Sequence, residues 1–260
     1  MRILIVGCSF SEDINLDNVT SWSYRLRDYL KNDVYEVTNL SESGQGNGVI
    51  SDLVIDYVSN NQVDLILIQW SAFTRIFKKV PTSKHWNKYK NLDWESGDVD
   101  KLDLLTFEST YNSLNAIINT QEFLNKNNVK YKMWFGWQQV YPEQIEHFQL
   151  THLIDIIKED ENFILFHQKE TWDYELKNYG LFTKSNYATT LLKLFGLSKG
   201  QNYYPETKWG GMSEYIRMNL NKNRYISETD SHPSSEGHRV FFEGVIKPLF
   251  QNINTDKKII

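Results

Sequence analysis

Short strand-like segments alternate with amphipathic segments along most of the chain. The predicted strands lie at 2–6, 34–40, 64–69, 129–135 and 163–166; 2–6 and 64–69 are largely aliphatic, whereas 34–40 and 129–135 also contain charged and polar residues. The segments between and after them predict helices at about 21–30, 48–59, 107–126, 145–158, 187–195 and 235–250. Thr20 or Ser21 is placed to cap the first helix, and Ser234 or Ser235 the last.

Strands that alternate with helices form a parallel sheet covered on both faces. We therefore predict an α/β fold, a flavodoxin-like three-layer α/β/α sandwich with a mostly parallel sheet. Residues 75–103 are polar, charged and aromatic with little periodicity, which predicts a lid or insertion, and residues 170–226 form a second irregular stretch. The prediction is a single domain over 1–260 that carries these two insertions.

The polar segments that follow the strands predict the location of a site. In an open parallel sheet, ligands bind beyond the carboxyl ends of the strands. The segments 8–11, 43–48 and 70–75 each follow a predicted strand, and 230–233 precedes the last helix. We expect all four to meet at one edge of the sheet.

Composition excludes several classes of protein. The net charge of the 260-residue chain is −5, which gives no electrostatic reason to expect a nucleic-acid partner. Cys8 is the single cysteine, so an intramolecular disulfide and a cysteine metal cluster are excluded. The run at 1–6 is too short for a signal peptide, and no run reaches membrane-spanning length. We expect a cytoplasmic protein or, if a phage encodes it, a protein of the virion or the host cytoplasm, without a membrane partner. The oligomeric state stays open.

Aromatic residues make up 14% of the chain, and they have two interpretations. Most are expected to pack in the core. A minority would line a carbohydrate-facing groove, because flat rings stack on sugar faces. The tryptophans considered for that groove are Trp70, Trp86, Trp94, Trp134, Trp137 and Trp209.

Ser9 is the candidate nucleophile. It lies two positions after Gly7, which ends the first strand, so its hydroxyl and backbone N–H are expected at the sheet edge. The same pattern fits an ordinary turn serine, and Ser11 is a second candidate. The segment 7–11 lacks the second glycine of a Gly-x-Ser-x-Gly elbow, which disfavours a typical α/β-hydrolase.

His232 is the candidate general base, and Asp230 precedes it by two residues. Pro233 disfavours helical geometry at His232, so the imidazole is expected on a loop before the last helix. Asp230 would fix the tautomer from the far ring nitrogen, and Glu228 is a weaker alternative. A plain surface turn fits the same residues. His238, inside the helix, is expected to be structural.

The glycine-rich loop at 44–48 follows the second strand. Backbone N–H groups in such a loop can hold a phosphate or a developing oxyanion, and Asn47 would add a side-chain amide. A flexible turn without a ligand is the competing interpretation. The loop is neither a complete dinucleotide fingerprint nor a phosphate-binding loop of the Walker type, so no organic cofactor or metal is expected.

Together these motifs resemble the SGNH (GDSL-type) hydrolases. The segment 7–11 is similar to the family's first block, with Cys8 in place of its Asp, and 39–44 to the second, with Gly44 at the oxyanion glycine. The segment 230–233 is similar to the last block, with one residue fewer between Asp and His. The third block departs: 68–75 lacks the family's Asn and is similar to a divergent, phage-associated branch.

The resemblance implies a serine esterase that acts on an acylated carbohydrate or small-molecule ester through Ser9, His232 and Asp230. The backbone N–H groups of Ser9 and Gly44, with Asn47, would hold the oxyanion. Three residues of the altered block are expected to bind substrate: Trp70, Ser71 and Arg75. Either Asn47 or Ser71 would replace the missing amide, and Arg75 would alternatively form a surface ion pair. The alternatives are an inactive glycan-binding or virion-associated protein on this scaffold, and a phosphate- or nucleotide-binding protein that uses the 44–48 loop.

Overall fold

The computed structural model describes residues 1–16, 19–32, 35–73, 75–76, 90–91, 99–137, 145–146, 148–168, 207–220, 222, 224–226 and 232–256. The strands within these ranges are β1 (Arg2–Val6), β2 (Asn15–Leu16), β3 (Val19–Thr20), β4 (Glu36–Asn39), β5 (Leu65–Trp70), β6 (Arg75–Ile76), β7 (Lys90–Asn91), β8 (Lys130–Phe135), β9 (Phe166–Gln168) and β10 (Thr207–Gly210). The helices are α1 (Trp22–Leu30), α2 (Asn47–Asn60), α3 (Val99–Lys126), α4 (Thr151–Glu159), α5 (Met212–Asn219), α6 (Ser235–Phe241) and α7 (Lys247–Asp256). A π-helical turn at Phe242–Ile246 joins α6 to α7.

The central sheet has the order β4-β1-β5-β8, and all its neighbours pair in parallel. If the four strands of this sheet are numbered by their order in the chain, the sheet order is 2-1-3-4. A parallel bridge between Met133 and Phe163 adds a fifth position beside β8. This is the flavodoxin-like order, in which the ligand crevice opens beyond the ends of the first and third strands. The predicted fold class is confirmed.

Two hydrophobic clusters cover the two faces of the sheet. Side chains alternate along β1, so that Leu4 and Val6 face one cluster while Ile3 and Ile5 face the other. The first cluster includes residues of α2, α3 and α4, and the second includes residues of α1, α5, α6 and α7. Because β1 and β5 are buried on both faces, their sequences are continuous aliphatic runs.

Serine side chains cap the N-termini of two helices. Ser21 caps α1, where its Oγ accepts a hydrogen bond from the Tyr24 N–H at 3.2 Å. Ser234 caps α6 and accepts from the Gly237 N–H at 3.0 Å. The structure thus decides between the alternatives that the sequence left open at both caps. Within the described ranges, no helix combines the length and the apolar character that crossing a membrane requires.

Several predicted boundaries are wrong. Helix α3 begins at Val99 rather than at 107, so part of the predicted lid is helical. The helix predicted over 145–158 is interrupted, since 145 and 146 are helical but α4 begins only at Thr151. The predicted fifth strand contributes a single bridge at Phe163, after which β9 pairs antiparallel with β10. Helix α5 lies within the second irregular stretch and was not predicted. The helix predicted at 187–195 lies outside the described residues, as does most of 75–98, and the single-domain division stays a prediction.

Candidate active site

Ser9 and His232 meet at the carboxyl edge of the sheet. Ser9 lies on the turn that follows β1, which closes when the N–H groups of Ser11 and Glu12 donate to the Cys8 carbonyl at 2.8 and 3.1 Å. His232 lies 223 positions away in the sequence, yet its Nε2 is 2.8 Å from the Ser9 Oγ. This is the geometry that a nucleophile and its general base need.

The Ser9 turn packs closely against the neighbouring strand. A Cβ atom on Gly7 would lie 3.0 Å from the Ser11 side chain and 3.1 Å from the Cβ of Gln69, which explains the glycine at this position. The Ser11 hydroxyl is fully buried and donates to Gln69 Oε1 at 2.6 Å. Ser11 therefore faces the interior, and its prediction as a second candidate nucleophile is wrong.

A short pairing of two chain segments fixes the His232 loop. The Ile226 N–H donates to the His232 carbonyl at 3.0 Å, and Tyr225 pairs with Pro233 in an antiparallel bridge. The imidazole itself packs edge-on against the ring of Phe10, with the ring centroids 5.4 Å apart. The backbone pairing and the ring contact together position the imidazole over Ser9. Asp230 and Glu228 lie outside the described residues, so the predicted third member of the relay stays a prediction.

Gly44 presents a backbone N–H near the same turn. Its φ angle of 83° lies in the left-handed region, which a glycine adopts without strain. Two side-chain contacts connect its loop to the Ser9 turn: Glu12 Oε2 accepts from the Ser43 N–H at 3.0 Å, and Asn39 Nδ2 donates to the Ser11 carbonyl at 2.8 Å. Among the described residues, the N–H groups of Ser9 and Gly44 donate no hydrogen bond.

The side-chain amide of Asn47 is hydrogen-bonded to the backbone of Ser71. The Ser71 N–H donates to Asn47 Oδ1 at 2.7 Å, and Asn47 Nδ2 donates to the Ser71 carbonyl at 3.2 Å. Both residues are buried, Asn47 at 1% exposure and Ser71 at 0%. They join the start of α2 to the end of β5. The predicted oxyanion role of Asn47 and the predicted substrate contact of Ser71 stay predictions that these contacts do not support.

The predicted aromatic groove needs correction. Trp70 is fully buried in the core with its indole N–H directed at the sulfur of Met133 at 3.3 Å, and Trp134 is also fully buried, so neither contacts a substrate. Trp137 is half-buried and packs on Phe10 with ring centroids 5.0 Å apart. Arg75 lies in β6, with its side chain outside the described residues. The same holds for the side chain of Trp209 and for Trp86 and Trp94.

His238 is a neutral structural histidine. It is 3% exposed, and its Nδ1 accepts a hydrogen bond from the Trp22 N–H at 3.3 Å. Burial, followed by the charges of Arg25 and His232, lowers the pKa of His238 to about 3. The ring therefore holds α1 against α6. No group of three or more His, Cys, Asp or Glu side chains in the described part of the chain is arranged to hold a metal ion.

The sequence interpretation missed Gln69 as a site residue. Its amide lies directly beneath the Ser9 turn and is fully buried. The available signal was a single amide at the end of the otherwise aliphatic run 65–69. Glu12, which connects the Gly44 loop to the Ser9 turn, was missed as well, because a charged residue in a loop carries no such signal.

Comparison with known proteins gives distant structural matches. No family model and no curated protein matches the chain. A GDSL-like lipase from Bacteroides thetaiotaomicron is 15% identical over 97% of this chain and 88% of its own, with a TM-score of 0.42. A catalytic mutant of an acetylxylan esterase from Geobacillus stearothermophilus is 9% identical over 95% of this chain and 92% of its own, with a TM-score of 0.44. A member of the lipolytic protein G-D-S-L family from Veillonella parvula is 11% identical over 95% of this chain and 96% of its own, with a TM-score of 0.39. These similarities are too distant to support a function, which has to be argued from the site.

Proposed function

We propose that this protein is a serine ester hydrolase of the SGNH type. The observation that carries the proposal is the 2.8 Å contact between Ser9 Oγ and His232 Nε2. A hydroxyl at the carboxyl edge of a parallel sheet, hydrogen-bonded to an imidazole from a distant loop, is the arrangement of an activated nucleophile. The motif resemblance supports the same assignment.

In the proposed reaction, Ser9 Oγ attacks the acyl carbonyl while His232 Nε2 accepts the hydroxyl proton. The tetrahedral intermediate collapses, His232 gives that proton to the departing alcohol, and the acyl group stays on Ser9. Water then attacks the acyl-enzyme, with His232 again as base, and releases the carboxylic acid. Asp230 is proposed to hold the imidazole in the required tautomer.

Two backbone N–H groups are proposed to stabilise the oxyanion. Those of Ser9 and Gly44 are suitable because they donate no hydrogen bond among the described residues. The amide of a third-block Asn is absent from 68–75. Losing one oxyanion donor lowers the rate by about 10²- to 10³-fold, so we expect slow turnover.

The proposed substrate is an acylated carbohydrate. Its support is the half-buried ring of Trp137, which packs on the buried Phe10 beside His232. Hydrolysis of peracetylated xylobiose, compared with p-nitrophenyl acetate and p-nitrophenyl decanoate, tests this choice. A preference for the acetylated sugar supports it, and a preference for the long acyl chain contradicts it.

A fluorophosphonate probe tests the nucleophile. The folded wild-type protein is expected to be labelled once, Ser9→Ala not at all, and His232→Ala only slowly. Ser11→Ala is the matched control, since it removes a hydroxyl from the same turn and still allows labelling to completion. Absence of labelling that depends on Ser9 would instead favour the inactive, glycan-binding alternative.

A further inference from the structure

Gln69 is a fully buried amide at the end of β5, the strand next to β1 in the sheet. A buried amide without hydrogen-bond partners destabilises a fold by about 1 to 3 kcal/mol. The partners of the Gln69 amide therefore show which part of the structure it stabilises. Its Oε1 accepts from the Ser11 hydroxyl at 2.6 Å, and its Nε2 lies 3.3 Å from Cys8 Sγ. The side chain thus holds both ends of the turn that carries Ser9.

Two glycines lie close to the Gln69 side chain. A Cβ atom on Gly136, after β8, would lie 2.3 Å from Gln69 Nε2, and one on Gly7 would lie 3.1 Å from Gln69 Cβ. The Gly7 contact involves the Cβ atom that any non-glycine side chain at position 69 carries, whereas the Gly136 contact involves the amide itself. The absence of a side chain at Gly136 therefore accommodates the full length of Gln69.

We propose that Gln69 is a positioning residue for the nucleophile, acting through Cys8 and Ser11. This inference rests on the proposed function. Backbone hydrogen bonds to the Cys8 carbonyl close the turn internally, and the Gln69 amide fixes the closed turn to the sheet. The orientation of the Ser9 hydroxyl toward His232, and that of the Ser9 N–H toward the oxyanion, both depend on that attachment.

Replacing the amide by an apolar chain of similar length tests the proposal. In Gln69→Met the contacts with Ser11 and Cys8, and that of Nε2 with the Trp70 carbonyl, are lost. We therefore expect kcat and the rate of fluorophosphonate labelling to fall by about 10- to 100-fold, the range for small misplacement of a reacting group. KM is expected to stay within about twofold, because Gln69 is buried away from the substrate. A purely structural role would not divide the effect in this way.

Thr120→Val is the matched control. Thr120 is also fully buried, and its hydroxyl is hydrogen-bonded to the Ala116 carbonyl at 2.7 Å and to Ser51 Oγ at 2.8 Å, where α3 packs on α2. This variant loses a buried hydrogen bond and some thermal stability, and we expect its kcat to match the wild type. The comparison separates positioning of the nucleophile from general destabilisation.

Ser11→Ala extends the test if Gln69→Met fails to fold. It removes only the partner of Oε1, and we expect a smaller loss of kcat, about three- to tenfold. Because both substitutions break the same hydrogen bond, the double variant is expected to lose no more kcat than Gln69→Met alone.

The outcomes are distinguishable. If the wild type is labelled at Ser9 but Gln69→Met and Ser11→Ala are labelled at the wild-type rate, the positioning role is wrong and the proposed function stands. If the folded wild type is not labelled at Ser9, the proposed function fails, and this inference fails with it. A loss of kcat in Thr120→Val as large as that in Gln69→Met also overturns the positioning role.

Discussion

Buried His238 makes the fold sensitive to acid in a calculable way. Its ordinary pKa is 6.5, and burial, with the nearby charges of Arg25 and His232, lowers the pKa in the folded protein to about 3. The unfolded chain therefore binds a proton at His238 that the folded chain excludes. The stabilisation from neutral His238 is complete above pH 6.5 and is lost as the pH falls from 6.5 toward 3.

The size of the effect follows from the two pKa values. One pKa unit corresponds to about 1.36 kcal/mol, so acidification from about pH 7 to about pH 5 removes about 2 kcal/mol of the free energy of unfolding through this residue. In His238→Gln the amide oxygen can still accept from the Trp22 N–H but does not titrate. We expect the acid-induced loss of stability to be about 2 kcal/mol smaller in this variant.

Urea unfolding at the two pH values, followed by circular dichroism, measures this difference. His152→Gln, the same substitution at an exposed position on α4, is the matched control. If wild type and His238→Gln lose the same free energy within about 0.5 kcal/mol, His238 is not the neutral buried group described above.

Three further substitutions test the structure around the site. Gly211→Ala is expected to lower the free energy of unfolding by about 1 to 3 kcal/mol, measured by thermal unfolding, because its Cβ would lie 2.4 Å from the Phe135 carbonyl oxygen. Gly48→Ala is the control that should not lose stability, since a Cβ atom at Gly48 would meet no atom within 4 Å. Ser234→Ala removes the cap of α6, and a loss of about 1 kcal/mol is expected; an unchanged melting temperature contradicts that role. Trp137→Ala is expected to raise KM for an acetylated sugar about three- to tenfold with little change for a small aliphatic ester, and equal effects on both would exclude sugar stacking.

The sequence was sufficient for the central strands β1 and β5 because they are buried on both faces. Continuous aliphatic runs such as 3–6 and 65–68 leave few alternatives to a parallel sheet with helical layers. The Ser9 turn and the Ser234 cap could be located for a related reason, since the end of a buried strand and the start of a helix have local sequence signals.

Local sequence does not determine which polar side chains meet. Trp70 ends β5 and Ser71 follows it at the site edge, yet both residues are fully buried. The sequence predicts Asn47 as an oxyanion donor, but in the structure its side-chain amide is hydrogen-bonded to the Ser71 backbone. Gln69 shows the reverse case, because its importance arises from contacts with residues about sixty positions away.

The acyl-enzyme tests the central claim most directly. Wild-type protein is mixed with p-nitrophenyl acetate, quenched with acid and digested, and the acetylated peptide is identified by mass spectrometry. We expect one acetyl group per chain on Ser9, formed about 10²- to 10⁴-fold more slowly in His232→Ala. Acetylation of a residue other than Ser9, or equal rates in wild type and His232→Ala, would contradict the assignment of Ser9 and His232 as nucleophile and base.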